Sequence, residues 1–220
     1  MVVYTNRQTA GRGQRGNTWE AEPGKNLTFS ILLKPLQIDA KSQFFVSEIV
    51  SIAIVRVLRR YITTHEVAIK WPNDIYVGDK KICGILIENS LVGTKINHSI
   101  VGIGININQR NFISDAPNPI SLINVINQES DLDKMLREFC DEILSTFAHY
   151  DSIDSSIRET LHNQYRSMLW RKVGYHPYST PDGNHFNARI GDIDPTGILT
   201  LIDRDNNPRS FAFKEVTAIV

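Results

Sequence analysis

One helical pattern interrupts a series of β-favouring runs in the first half of the chain. The runs are apolar and rich in β-branched residues, and they occupy residues 2–6, 27–33, 67–71, 74–77, 81–88 and 96–107. Between the second and the third run, residues 42–62 repeat apolar side chains at three- and four-residue steps, which predicts a helix with one buried face. We therefore expect an α+β fold in which a mixed β-sheet packs against helices.

The second half of the chain changes character after residue 168. Helical spacing extends through residues 121–127, 132–150 and 153–168. Beyond this point, turn signals separate short β-type runs at residues 186–193, 198–203 and 209–213. We expect two domains, which are a larger α+β domain at residues 1–168 and a small β-barrel-like domain at residues 169–220.

The charge balance argues against a nucleic-acid partner. Lysine and arginine total 24, and aspartate and glutamate also total 24, so the chain lacks the net positive charge that attracts a phosphate backbone. No apolar run reaches the roughly 18 residues that a membrane-spanning helix requires. Cys83 and Cys140 lie far apart among apolar neighbours, which is typical of free thiols in a reducing compartment. We therefore expect a cytoplasmic protein without nucleic-acid or membrane partners.

A glycine-rich segment at residues 11–16, with the sequence GRGQRG, is a candidate anion-binding loop. Its glycines fit the spacing of dinucleotide-binding proteins, but that motif needs a helix after the third glycine. Pro23 and the β-type run at 27–33 leave no room for such a helix. A surface loop with solvated arginines is the other alternative. We favour anion binding, because glycine N–H groups and the guanidinium groups of Arg12 and Arg15 suit phosphate or carboxylate oxygens.

The pentapeptide KWPND at residues 70–74 carries amide and carboxylate chemistry at the start of a β-type run. Asp74 is a candidate Mg²⁺ ligand, and Asn73 can bind an oxygen or an amine. An exposed turn, in which both side chains only satisfy backbone groups, is the alternative. Lys81 begins the next apolar run, where an ammonium group is costly unless an anion such as a substrate carboxylate pairs with it. Gly84 leaves room beside it for a ligand.

A third motif, GIGIN at residues 102–106, ends the last β-type run of the first half. Strand alternation places the side chains of Asn106 and Asn108 on the face opposite the isoleucines. Two amides that face a cleft can hydrogen-bond a nucleotide, whereas asparagines at a strand end can also serve the following loop. Both interpretations stay open at this point.

Taken together and in this order, the motifs resemble those of biotin protein ligases. They are QTAGRGQRG at residues 8–16 with Trp19, KWPND at 70–74, KICG at 81–84 and GIGIN at 102–106. The resemblance implies the biotin–lipoate ligase fold, which is similar to that of class II synthetases, with a small SH3-like β-barrel at the C-terminus. It also implies an ATP-dependent activity that forms biotinyl-5′-AMP and then transfers biotin to one lysine of a biotin carboxyl carrier protein.

The resemblance assigns ligand-binding roles by motif position. The implied biotin-binding residues are Gln8, Gly11, Arg12, Gly13, Gln14, Lys81 and Gly84. The implied ATP-binding residues are Arg15, Trp19, Asn73, Asp74, Asn106 and Asn108. Arg12 and Lys81 are the implied catalytic residues, because both would neutralise charge near the α-phosphate, and Asp74 would hold Mg²⁺.

Two departures from the family pattern predict differences in behaviour. Gln14 stands where the family usually has arginine, and we expect weaker retention of the reactive adenylate as a result. The family's upstream segment that completes the biotin pocket has no counterpart in this sequence, nor has the DNA-binding domain of its repressor members. We therefore expect a form without transcriptional control. A lipoate-type protein ligase and a non-catalytic biotin- or nucleotide-binding module are the alternative functions, and a homodimer is left open.

Overall fold

The computed structural model describes residues 1–13, 18–35, 38–114, 116–151 and 154–219. Its strands are β1 (Val2–Thr5), β2 (Leu27–Leu33), β3 (Val67–Lys70), β4 (Asp74–Val77), β5 (Lys80–Val92), β6 (Lys95–Ile105), β7 (His176–Ser179), β8 (His185–Ile193), β9 (Leu199–Asp203), β10 (Pro208–Phe211) and β11 (Thr217–Ala218). Its α-helices are α1 (Phe44–Tyr61), α2 (Leu122–Ile126), α3 (Leu132–Tyr150) and α4 (Ser155–Ser167). The bounds of β2, β4 and α3 are those that the sequence predicts.

A six-stranded sheet of order β1-β2-β6-β5-β4-β3 forms the centre of the fold. Its ladders are antiparallel, and isolated parallel bridges place Leu169 beside Ile69 and Pro119 beside Lys81. On β2 every second residue is buried, which is the alternation expected of a strand with one covered face. The predicted combination of a mixed sheet with packed helices is confirmed.

Helix α1 covers one face of this sheet and lies within the hydrophobic core. Its residues Ile49, Ile52 and Val55 are fully buried, because the sheet, α3 and α4 surround it. Arg56 is a polar exception on α1, and its guanidinium donates to Glu142 of α3 at 3.4 Å and to Gln164 of α4 at 3.0 Å. In the described ranges no helix, α1 included, has the length and the apolar character needed to cross a membrane.

The C-terminal part forms a five-stranded antiparallel sheet of order β10-β9-β8-β7-β11. Within the described residues its edge strands β10 and β11 do not pair, so the expected barrel is an open sheet. Trp71 Nε1 donates to the Gly197 carbonyl at 3.0 Å, and Arg166 donates to the Gly191 carbonyl at 2.9 Å. The two sheets share one hydrophobic core, and the division into domains after residue 168 stays a prediction.

Two strands of the C-terminal sheet are missing from the sequence-based prediction. Strand β7 contains Pro177, which lacks the N–H group of a regular ladder residue and so weakens the strand signal. Strand β11 is two residues long and exists through its pairing with β7. Both strands are therefore set by tertiary contacts rather than by local pattern.

Candidate functional site

A cavity of about 710 Å³ lies on the face of the six-stranded sheet opposite α1. Strands β2, β4, β5 and β6 form its floor, and its walls come from the N-terminal loop, from the loop after β6 and from Phe213. Strand alternation explains this position, because residues next to core-facing ones point to the other face of the sheet. Arg12, Asp74 and Lys81, which are far apart in the sequence, all border this one cavity.

The floor of the cavity contains a row of directly paired residues on four strands. Asp74 of β4 pairs with Gly84 of β5, Gly84 pairs with Gly104 of β6, and Gly104 pairs with Thr28 of β2. The indole of Trp19 lies on the two central glycines. A Cβ atom at Gly104 would be 2.5 Å from Trp19 Nε1, and one at Gly84 would be 3.1 Å from Trp19 Cζ3. Side chains at these two positions would therefore occupy the space that the indole uses.

Two buried polar atoms of residues that border the cavity have no hydrogen-bond partner among the described residues. They are the Trp19 Nε1 donor and the Asn106 Oδ1 acceptor. The other end of the Asn106 amide is engaged, because Nδ2 donates to the Ile120 carbonyl at 3.1 Å. A buried polar group without a partner is costly. A ligand that supplies one acceptor and one donor fits these two atoms.

Lys81 and Asp74 form an ion pair beside the glycine floor. The Lys81 Nζ atom is 2.7 Å from Asp74 Oδ1, and both side chains are partly exposed to the cavity. The loop after β6 holds the Lys81 backbone, because Lys81 N donates to the Asn118 carbonyl and Ile120 N donates to the Lys81 carbonyl, both at 2.9 Å. The sequence predicts an anionic partner for Lys81, and in this structure a carboxylate of the chain itself takes that position.

Lys70 is a second amine at the cavity, to which the sequence patterns assign no role. Its Nζ atom donates to Tyr76 Oη at 2.9 Å and lies 4.8 Å from the centre of that ring. Burial lowers the pKa of Lys70, and the nearby Asp74 carboxylate offsets part of this effect. The sequence does contain a signal for this position of Lys70. Strand alternation puts Asp74 and Tyr76 on one face, and the β3–β4 turn sets Lys70 opposite Asp74.

The asparagines of the two motifs differ in their surroundings. Asn73 borders the cavity, and its buried Nδ2 donates to the Ile85 carbonyl, which fixes the end of the KWPND segment to β5. Asn108 does not border the cavity. Its Nδ2 donates to the Ser130 carbonyl at 2.8 Å, and its Oδ1 accepts from Ser130 N at 3.0 Å. Asn108 thus stabilises the following loop, and the structure does not bring it together with the other described residues that are predicted to bind ATP.

The first residues of the glycine-rich loop reach the cavity. Gln8, Arg12 and Gly13 border it, together with the predicted residues Lys81 and Gly84. The remaining predicted loop residues, Gln14, Arg15 and Gly16, lie outside the described residues, and their roles stay predictions.

Gly11 has a packing role within the same loop. Trp19 N donates to the Gly11 carbonyl at 3.0 Å, and Arg12 forms a β-bridge with Thr18, so the two arms of the loop are paired. A Cβ atom at Gly11 would collide with the Trp19 carbonyl oxygen and would lie 3.1 Å from Trp19 Cβ. Glycine at this position therefore permits the close approach that brings Trp19 over the floor.

The C-terminal part contributes one side chain to the cavity wall. Phe213 borders the cavity and lies edge-on to Trp71, with ring centres 6.3 Å apart. Trp71 in turn bonds Gly197, so the KWPND segment is held between the two sheets. No local pattern in the sequence indicates this contact. The predicted β-type run at 209–213 includes Phe213, whereas in the structure β10 ends at Phe211 and Phe213 lies in the turn that follows.

Comparisons with known proteins relate the N-terminal part of the chain to one family. The model of the Biotin/lipoate A/B protein ligase family matches residues 1–106, which include all four motifs. The bifunctional ligase/repressor BirA of Bacillus subtilis is 33% identical over 109 residues, which cover 50% of this chain and 33% of that protein. The biotin–[acetyl-CoA-carboxylase] ligase of Paracoccus denitrificans is 35% identical over 106 residues, which cover 48% of this chain and 43% of that protein. The matched segment thus spans less than half of each relative.

Solved structures share the fold over almost the whole chain. The biotin protein ligase of Aquifex aeolicus in complex with biotin and ATP superposes with a TM-score of 0.77 at 20% identity, covering 99% of this chain and 88% of that one. The biotin protein ligase of Leishmania major in complex with biotinyl-5-AMP gives a TM-score of 0.61 at 22% identity, covering 96% and 87%. Residues 1–106, which build the cavity floor, thus match the biotin/lipoate A/B protein ligase family, and the chain as a whole shares the fold of solved biotin protein ligases.

Proposed function

We propose that this chain is an ATP-dependent biotin protein ligase that forms biotinyl-5′-AMP and then transfers biotin to a carrier lysine. The observation that carries the proposal is the convergence of Arg12, Lys81 and Asp74 on one cavity with a glycine floor. Relatives named as biotin ligases, among them the one from Paracoccus denitrificans, favour biotin over lipoate as the acid.

In the first step, a carboxylate oxygen of biotin attacks the α-phosphorus of ATP, and pyrophosphate leaves as the bond to its bridging oxygen breaks. Negative charge grows on the α-phosphoryl oxygens during this displacement. Lys81 and Arg12 border the cavity with positive charge that offsets it. Lys81 also orients the attacking carboxylate, and such positioning lowers a barrier by several kcal/mol.

Asp74 keeps the Lys81 ammonium in place before the substrates arrive, through the pair at 2.7 Å. Asp74 is also the residue that we propose for Mg²⁺. No group of three or more potential metal-binding His, Cys, Asp or Glu side chains occurs in the described part of the chain. One carboxylate is nevertheless sufficient, since Mg²⁺ that accompanies a nucleotide takes most of its ligands from phosphates and water. When bound, Mg²⁺ would supply further charge neutralisation for the phosphates.

In the second step, the amine of a carrier lysine attacks the biotinyl carbonyl, AMP leaves, and the nitrogen releases a proton. The mixed anhydride between the steps is sensitive to water, so the cavity has to exclude solvent while it waits for the carrier. The Trp19 indole already covers the glycine floor and provides apolar shielding there. The N-terminal loop is therefore the proposed lid of the site.

The proposal includes a partner and a location. The partner is a biotin carboxyl carrier protein domain, because the named relatives include a biotin–[acetyl-CoA-carboxylase] ligase. The location is the cytoplasm, where the free thiols Cys83 and Cys140 are stable. The proposal leaves open whether two chains form a homodimer.

The test of this function is biotin-dependent exchange of labelled pyrophosphate into ATP. We expect exchange with biotin and not with lipoate, and we expect Lys81→Ala to abolish it while the thermal unfolding midpoint stays near that of the wild type. Lys80→Ala is the matched control, because Lys80 is the adjacent lysine and is exposed. Near-normal exchange by Lys81→Ala would refute the role of Lys81. Tight biotin binding without any exchange in the wild type would instead favour a non-catalytic binding module.

A further inference from the structure

A buried amide joins two segments that both border the cavity. Gln109, with 1% of its surface exposed, donates from Nε2 to Glu20 Oε1 at 2.8 Å and to the Asn111 carbonyl at 2.9 Å. Its Oε1 accepts from Asn26 Nδ2 at 2.5 Å and from Glu22 N at 3.0 Å. The amide thus uses both of its hydrogens and both of its acceptor positions, which fixes its orientation.

The Glu20 carboxylate accepts hydrogen bonds from several donors in the loop after β6. In addition to Gln109, it accepts from Ile113 N at 3.1 Å and from Ser114 N at 2.8 Å. Partial burial acts to raise the pKa of Glu20, but the hydrogen bonds from Ser114, Ile113 and Gln109 outweigh it and lower the pKa. Hydrogen bonds to an ionised acceptor are the strong ones in proteins. Glu20 therefore orders the backbone of the loop after β6.

The two joined segments cover the cavity from different sides. Glu20 directly follows Trp19, whose indole lies on Gly104. On the other segment, Phe112 and Ser114 border the cavity. Contacts between the segments therefore connect the residue next to Trp19 with the loop after β6.

We propose that Glu20 and Gln109 are positioning residues that hold Trp19 over the glycine floor and thereby retain the reactive intermediate. The inference rests on the proposed function, because it names residues that control the lifetime of the adenylate in the same site. Neither residue is among those that the family motifs mark. The sequence gives no hint of the pair, because its members are 89 positions apart.

The first experiment measures the escape of labelled adenylate from the purified protein. Glu20→Gln keeps the shape of the side chain but removes its charge. Its NH₂ group cannot accept a hydrogen bond, so one oxygen is left for the donors of Gln109, Ile113 and Ser114. We expect escape to become faster by about tenfold and the Michaelis constant for ATP to rise, while the maximal rate of adenylate formation stays within about threefold. Glu22→Gln is the matched control, because the Glu22 side chain is exposed and only its backbone N–H bonds Gln109. Equal escape rates for Glu20→Gln and the wild type would overturn the proposal.

A charge exchange tests whether the two residues act together. Gln109→Glu alone sets a buried carboxylate against Glu20 and should release the adenylate faster still. Combined with Glu20→Gln, the new amide at position 20 can donate to the new carboxylate at position 109, which can also accept from Asn26. We expect the double variant to retain the adenylate better than Gln109→Glu alone by about fivefold. If the escape rate of the double variant equals the value obtained by multiplying the two single effects, the two residues are not directly coupled.

Hydrogen exchange in the ligand-free protein separates this inference from the proposed function. We expect the amides of Ile113 and Ser114 to be protected in the wild type and in Glu22→Gln, and to exchange at least about tenfold faster in Glu20→Gln. This readout needs neither biotin nor activity. If Glu20→Gln exchanges faster but the wild type makes no adenylate, the positioning contact is supported and the proposed ligase function is refuted. Unchanged exchange would remove the positioning role whatever the activity.

Discussion

Alanine at Gly104 is expected to impair ligand binding far more than alanine at Gly102, two residues earlier on the same face of β6. A Cβ atom at Gly104 would lie 2.5 Å from Nε1 and 2.8 Å from Cζ2 of Trp19. A Cβ atom at Gly102 would meet nothing nearer than the Leu86 carbonyl oxygen at 3.6 Å, which is an ordinary contact. The two substitutions are chemically identical and differ in the space that receives the methyl group.

The size of the effect follows from the distance that the indole has to move. Carbon atoms in contact are about 3.5–4.0 Å apart, so the Trp19 ring would have to shift by roughly 1 Å. Forcing an extra methyl group into a packed site costs about 1–3 kcal/mol, which corresponds to a loss of about 5- to 150-fold in affinity. Because the ring is carried by a loop, we expect the loss to appear mainly in ligand binding and only slightly in the unfolding free energy.

Calorimetric titration of biotin with ATP into the two variants and the wild type measures this difference. We expect Gly104→Ala to bind at least about tenfold more weakly and Gly102→Ala to stay within about threefold of the wild type. Wild-type affinity in Gly104→Ala would show that the contact between Trp19 and the glycine floor does not define the ligand site. Equal losses in both variants would show that any added methyl group on β6 disturbs binding, whatever its distance from the indole.

Three further predictions concern other parts of the molecule. Phe139→Ala should lower the unfolding free energy in urea by about 3–5 kcal/mol, because Phe139 is fully buried, whereas the exposed Leu144 on the same helix should tolerate alanine within about 0.5 kcal/mol. The Glu48 carboxylate raises the pKa of His162 in the folded protein. The contribution of the imidazolium to the free energy of unfolding should therefore be complete below about pH 6.5 and should decrease as the pH rises through the folded pKa. Urea titrations across this range should show a flatter profile for His162→Gln. Asn108→Ala should destabilise the protein by about 1–3 kcal/mol in the same assay and leave the Michaelis constant for ATP unchanged.

The sequence predicts those parts of the site in which a short motif determines both chemistry and position. In KWPND, strand alternation places the side chain of Asp74 on the same face as Tyr76, toward the cavity. In KICG, Lys81 and Gly84 are three residues apart and both border the cavity, because a β-bulge between β4 and β5 shifts the register there. The pairing of Gly84 with Gly104 was not predictable from the short turn between β5 and β6, because a β-bulge at Ser90 and Leu91 shifts the register by one residue. Most of the six-stranded sheet and α1 were predictable, because their periodicity is strong.

Lys70 shows how a local signal is overlooked. It stands at the head of a recognised motif, yet its role follows from the ladder that sets it opposite Asp74 and from the burial that lowers its pKa. The pairing could be inferred from the short turn between β3 and β4. The burial could not, because it depends on Trp170, whose ring centre lies 5.7 Å from Lys70 Nζ although it is far away in the sequence.

The contacts that join distant segments around the cavity could not be found by motif analysis, for a physical reason. Glu20 and Gln109, and likewise Trp71 and Gly197, are polar contacts between segments 89 and 126 positions apart, and neither partner carries a pattern that requires the other. Such contacts form only after the sheet has brought the segments together. Each is stable only when both partners are hydrogen-bonded, since a buried polar group without a partner costs about 1–3 kcal/mol. A relative with apolar residues at both positions 20 and 109 could therefore keep the same fold and the same catalytic motifs. The lifetime of the intermediate would then be set by packing instead of by a charge-assisted bond, and it would be independent of the protonation of position 20.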